Sequence, residues 1–271
     1  MTDPLLDVVR RGLRVFDLGR PMYPGMPASP NHPAFSHTLP RRHGDMMRAD
    51  GGSAASDLLV TGTHVGTHID ALAHVSHQGR LHGGADAAEA GRGGRYLEHG
   101  VHTIAPMLRR GVLLDVPAVL GEACAPAYQI TPDDLDAACA LAGGEPGEGD
   151  VVLIRSGWGA RFDQGPASYL GHDTGVPGVG EAGARWLADR RVLAAGADTV
   201  AFERLPPGAG HALLPAHRVL LVEHGVYIVE ALALEELAAA GVREFTFVLV
   251  PLNLVGATGS PVRPLAVVPD A

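Results

Sequence analysis

Residues 58–77 read Leu-Leu-Val-Thr-Gly-Thr-His-Val-Gly-Thr-His-Ile-Asp-Ala-Leu-Ala-His-Val-Ser-His, and they constrain this chain more than any other stretch. They bring His64, His68, Asp70 and His74, all at even-numbered positions, within eleven residues. In an extended strand, residues two and four apart share a face. The intervening Thr63, Val65, Thr67 and Ile69 are β-branched and favour a strand. Gly66 disfavours a helix, where glycine costs about 1 kcal/mol relative to alanine. The expected form is a strand entering a loop or helical turn. His64, His68 and Asp70 then converge on one side, with His74 close by. Imidazole and carboxylate together suit Zn²⁺, Mn²⁺ or Fe²⁺. Gly66 lets the backbone approach the ion, and Thr67 offers a hydroxyl to orient a ligand. Fourteen histidines will produce some chance neighbours. Three of them with an aspartate on one face, between β-branched residues, are read here as a metal site.

His64-Val-Gly-Thr-His68-Ile-Asp70-Ala-Leu-Ala-His74 resembles the signature of the putative cyclase family of metal-dependent hydrolases. That family includes bacterial kynurenine formamidases and isatin hydrolases. Its pattern is His-x-Gly-Thr-His-x-Asp-x-x-x-His, often with Pro where this chain has Leu72. The resemblance implies a mixed-sheet α/β fold of the swivelling β/β/α type.

A chain of 271 residues fits one large domain or two small ones. It is long enough to bury a substantial core, and 46% hydrophobic residues point to a globular protein. The net charge of −9 argues against a nucleic-acid partner, which calls for a basic face. Cys124 and Cys139 have no metal-type spacing, and so few cysteines suggest a reducing compartment. The first eleven residues carry acids and no apolar run of the secretory type. No stretch approaches the ~20 apolar residues that span a bilayer. A soluble cytoplasmic protein without membrane or nucleic-acid partners is expected. No linker or repeat divides the sequence, so residues 1–271 are read as a single domain.

Leu13–Leu18 reads as a first strand. Gly19–Pro40 carries Pro21, Pro24, Pro27, Pro30, Pro33 and Pro40 and is expected to be irregular. Long loops of that kind are often functional. In the resembled family the corresponding segment borders the substrate pocket, making Tyr23, Met26 and Phe35 candidate apolar contacts, with Met22 beside them. Kynurenine formamidases typically place a Trp here, and this chain has none. Residues 41–57 suggest a hairpin connection or mobile loop, and 78–94 a glycine-rich loop beside the site.

Further on, a short helix is expected over residues 104–110 and a buried strand from Gly111. Thr131 as N-cap, Pro132 at N1 and acids in the first turn begin a helix that Gly143-Gly144 ends. Strands are expected over 150–156 and 192–202, with a helix over 181–190 between them. Trp158, between two glycines, fits either a substrate platform or the core, and core is the usual place for such a ring. Asp198 reads as structural.

In the segment 217–234, His217 opens a helix that Gly225 stops, and the strand Val226–Val229 ends at Glu230. A carboxylate after a buried apolar run needs a partner, which a metal ion or the start of the next helix supplies. The resemblance implies that His217 and Glu230 are further metal ligands, with His211 and His224 as competitors for the histidine role. Ala257–Pro264 is similar to the family's closing motif, with Ser260 and Arg263 as anchors or turn residues.

The expected chemistry is hydrolysis of an amide, possibly cyclic, of a small and partly aromatic molecule. One or two divalent ions, zinc or manganese, would sit among His64, His68, Asp70, His217 and Glu230, with His74 as proton carrier. Alternatives are a lactone hydrolase, a cyclase or dehydratase using the ion as Lewis acid, or a non-catalytic metal-binding protein with a closed site. Relatives suggest a homodimer or homotetramer.

Overall fold

The computed structural model describes residues 4–270, so the first three residues of the N-terminal reading lie outside it. Thirteen strands follow one another in sequence: β1 (Leu13–Asp17), β2 (Ser36–Arg41), β3 (Ser56–Val60), β4 (His68–Asp70), β5 (Met107–Asp115), β6 (Gln129–Ile130), β7 (Val151–Arg155), β8 (Gly178–Val179), β9 (Ala194–Ala197), β10 (Tyr227–Glu230), β11 (Glu244–Leu249), β12 (Gly259–Pro261) and β13 (Leu265–Pro269). Nine of them form one mixed sheet in the order β1-β13-β11-β5-β7-β9-β10-β4-β12. The central β5, β7, β9 and β10 run parallel. Their near-continuous apolar sequences, such as Val-Val-Leu-Ile in β7, fit burial on both faces. One apolar cluster holds Val152, Ile154, Leu187 and Leu220, and another holds Leu113, Leu153, Val229 and Phe247.

The helix Pro132–Ala142 forms as its caps predict. Thr131 and Asp134 make a reciprocal capping box, and Gly143 closes the other end in the left-handed conformation. The helix expected over 104–110 does not form. Pro106 interrupts it, and Met107–Arg110 instead extend β5, pairing residue by residue with β11. Gly111 is needed in that pairing, because a Cβ there would overlap the Phe245 ring. The hairpin reading of 41–57 holds: β2 and β3 pair antiparallel across it. The irregular stretch before it ends at Ser36, where β2 starts.

The strand expected over 64–70 is confined to β4. Gly66 adopts φ +71°, a left-handed turn that breaks the extended run between His64 and His68. β4 then lies between β10 and β12, with Glu230 opposite His68 and Gly259 opposite Asp70. This register carries the site.

Asp198 follows β9 at the same end of the central sheet as Glu230 and is structural. It accepts hydrogen bonds from the backbone N–H of Ser156, Gly157 and Gly159 and from the Ser156 hydroxyl, at 2.6–3.2 Å. Asp198→Ala leaves three buried N–H groups without acceptors, so chemical denaturation should show a loss of about 3 kcal/mol or more.

Among the described residues no helix is long and apolar enough to cross a membrane. Cys124 and Cys139 are both free and buried. Burial pushes their thiols up to about 12 and about 11. At pH 8 both are protonated, and a thiol reagent should label neither in the native protein and both after denaturation.

Candidate metal centre

The register of β4 against β10 puts His68, Asp70 and Glu230 on one face. His68 Nε2 lies 3.5 Å from Asp70 Oδ1 and 3.3 Å from Glu230 Oε2. His217 ends the short helix Pro215–His217 and reaches the same point. Its Nε2 is 3.2 Å from Glu230 Oε1 and 3.6 Å from Asp70 Oδ2. The turn at Gly66 folds His64 back onto Asp70, with Nδ1 2.7 Å from Oδ1. Gly259 leaves room for that ring, because a Cβ there would lie 2.5 Å from it. His74 stacks on His64 with ring centroids 3.8 Å apart. All six proposed ligand and proton-carrying residues therefore meet, from segments up to 166 positions apart in sequence.

Their tautomers follow from the bonds on their far sides. His68 Nδ1 faces the Gly66 carbonyl at 2.8 Å, and His217 Nδ1 faces Glu203 Oε1 at 2.7 Å. Each of these nitrogens therefore carries a proton, which leaves Nε2 with its lone pair toward the carboxylates. Asp70 Oδ2 and Glu230 Oε1 are buried and have no hydrogen-bond donor among the described residues. Lone pairs of two imidazoles and two carboxylates facing one another in a buried site need positive charge between them. Protons can supply it. Burial works to lower the His68 ring, yet Glu230 and Asp70 outweigh it and raise it to about 9. His217 is raised well above its ordinary value in the same way. A divalent cation meets the same need with a matching donor set. Two clusters within ligand reach, His64–Asp70–His74 and His68–Asp70–Glu230, share Asp70. The residues thus fit one ion or, with Asp70 common to both, two.

His74 differs from the other rings. Burial pushes it down to about 4 against the pull of Asp70, so its ring is neutral at neutral pH.

Several contributors escaped the sequence reading. Glu203 is buried and holds His217 through three contacts, accepting from its Nδ1–H, its backbone N–H and that of Ala216 at 2.7–3.1 Å. Thr258 Oγ1 meets His64 Nε2 at 2.9 Å. His32 stacks on His64 with centroids 5.1 Å apart. Phe202 and Ala231, next to Glu203 and Glu230, adopt left-handed backbone at φ 55° and 53°. Strain at such non-glycine positions is held where surrounding structure dictates it. Thr258 lies inside the closing motif Ala257–Pro264, and no local motif announces the others. The usable signal for Glu203 is a carboxylate directly after the apolar run Val200-Ala-Phe202.

Thr67 does not orient a ligand directly. Its hydroxyl donates to the Ala231 carbonyl and accepts from Arg20 N–H, tying β4 to the residue after Glu230. Of the competing histidines, His224 is exposed and away from the cluster, while His211 lines the cavity beside it. Ser260 is the middle residue of β12, where its hydroxyl accepts from Leu252 N–H and donates to the Pro261 carbonyl, and Arg263 pairs with Asp17 at the surface.

The cluster opens into a cavity of about 300 Å³. The segment Pro27–His32 borders it, as the irregular early stretch suggested, through Pro27, Ala28, Ser29, Asn31 and His32. Tyr23, Met26 and Phe35 do not line it. Tyr23 faces solvent, whereas Met26 is buried and Phe35 half-buried against an apolar cluster of its own. Trp158 is also core: it is 1% exposed, its indole N–H donates to the Tyr169 carbonyl, and Arg161 covers its ring.

The family model described as "Putative cyclase" matches residues 16–204. An isatin hydrolase of Roseibium aggregatum is 26% identical over 226 residues, covering 82% of this chain and 78% of that protein. A crystal structure described as a novel cyclase superposes with a TM-score of 0.85 at 29% identity, covering 98% of this chain and 93% of the other. A predicted metal-dependent hydrolase from Bacillus stearothermophilus gives a TM-score of 0.62 at 26% identity, covering 94% and 98%.

Removing a carboxylate that holds a ligating imidazole typically weakens metal binding 10–100-fold. Glu203→Ala should do so in a calorimetric titration with zinc or manganese, whereas Glu203→Gln should retain much of the affinity.

Proposed function

This chain belongs to the putative cyclase family, and from that premise we propose that it is a metal-dependent hydrolase of a small amide, either a formamide or a cyclic amide. The observation that carries the reading is the pair of donorless buried oxygens, Asp70 Oδ2 and Glu230 Oε1, both facing His217 Nε2, while His68 Nε2 faces the other oxygen of each carboxylate. His64, His68, Asp70, His217 and Glu230 would hold the ion or ions. Mixed nitrogen and oxygen donors suit zinc or manganese. The likeness to an isatin hydrolase supports amide cleavage. The open cavity beside the cluster supports catalysis over a closed structural site.

When bound, a divalent ion would polarise the scissile carbonyl and lower the pKa of water toward about 7. The protein's own part is orientation and proton transfer. Glu203 and the Gly66 carbonyl fix which nitrogen of His217 and His68 faces the site. His74, neutral and stacked on His64 at the cavity wall, has an unprotonated ring nitrogen to accept the proton of the attacking water. The same nitrogen then delivers that proton to the departing amine as the carbon–nitrogen bond breaks.

Elemental analysis of the purified protein, paired with a hydrolysis screen over formamides, isatin-like rings and lactones, tests the proposal. His74→Ala should keep the metal and lose about 10²–10⁴-fold in turnover, while Asp70→Ala should lose both. Normal activity in the His74 variant would remove its assigned role. Label from ¹⁸O-water should enter the product, and its absence would favour Lewis-acid cyclisation instead.

A further inference from the structure

The cavity at the metal centre has a neighbour. Asn31, Val200 and His211 line both that cavity and an adjoining chamber of about 480 Å³. Pro30, Leu170, Val200 and Leu205 give the chamber an apolar wall, and Asn31, His172 and His211 are its polar members. Among the described residues no arginine lines either space, and the chain contains no lysine. Glu230 is the one acid on the cavity wall, and it belongs to the ligand cluster.

Two physical consequences follow from that lining. An apolar group entering the chamber gains transfer free energy with each methylene it buries. An anionic group there meets no arginine or lysine to offset the hydration it loses. The first cavity alone, at about 300 Å³, sits at the small end of ligand pockets. Room for a substituent beyond the scissile amide lies past Asn31 and His211.

We propose that the substrate is an uncharged amide bearing an extended apolar group, with its carbonyl at the His68–Asp70–Glu230 cluster and the apolar group in the chamber lined by Leu170, Val200 and Leu205. This rests on the hydrolase reading for the bond cleaved, but the chamber's preference is a matter of binding and is measured separately.

The test uses the metal-loaded full-length protein and four formanilides, unsubstituted or carrying para-butyl, para-phenyl or para-carboxylate. Both kcat/KM and, by calorimetry, Kd are recorded for each. Butyl and phenyl should raise kcat/KM about tenfold or more over the parent, mainly through KM. Carboxylate should lower it by at least tenfold. Ala209→Trp, at an exposed wall position, and Val200→Phe should each bring the phenyl-to-parent ratio close to one. A ratio at or below one in the unaltered protein overturns the proposal. So does a ratio unchanged in both variants when their circular dichroism is native. If no formanilide is hydrolysed, the formamidase reading fails while the Kd series still decides the chamber: tighter binding of butyl and phenyl supports it, and equal binding overturns it.

Discussion

Everything in this molecule that bears on function depends on burying two carboxylates, Asp70 and Glu230, where neither has enough donors of its own. Each is at most 5% exposed, and each leaves one oxygen without a hydrogen bond among the described residues. A folded chain does not tolerate such groups without compensating positive charge. The three-residue strand His68–Asp70 enforces the situation. It is trapped between Tyr227–Glu230 and Gly259–Pro261 in a register that sets Glu230 directly beside His68. A one-residue slip would turn His68 and Asp70 to the opposite face and dismantle the cluster.

Around that strand the fold supplies orientation. Glu203 holds His217 by its side chain and by its backbone. The Gly66 turn serves twice, returning His64 to Asp70 and presenting its carbonyl to His68. Thr67 links the strand to Ala231 and to Arg20, so the two halves of the cluster are held together by hydrogen bonds outside it. His74 stands apart in kind: the same burial that leaves the carboxylates dependent on cations keeps this ring neutral and able to take a proton.

Of the residues that meet at the site, His64, His68, Asp70 and His74 were legible because they share one motif, whereas His217 and Glu230 were implied by the family resemblance, with His211 and His224 as competitors. The route to convergence was not fully legible. Alternation along a strand accounts for His68 and Asp70, whereas His64 arrives through a left-handed glycine. Local pattern suggested a helix over residues 104–110, and long-range pairing with Glu244–Leu249 made it a strand. Apolar side chains in the proline-rich segment and at Trp158 were candidates for substrate contact. Packing took Met26, Phe35 and Trp158 for the core and left the cavity to Pro27, Ala28, Ser29, Asn31 and His32. Glu203 belongs to no motif, and Thr258 is not marked out within the closing one, because an orienting contact needs only one correctly placed oxygen, and sequence spacing says nothing about it.

The central claim is that a divalent ion resides where these carboxylates and imidazoles meet. Anomalous diffraction from crystals of the metal-loaded protein measures this directly. The account predicts a peak about 2.0–2.2 Å from Asp70, Glu230 and the Nε2 atoms of His68 and His217. A cluster bridged only by protons or water, with any bound metal located elsewhere, would contradict it.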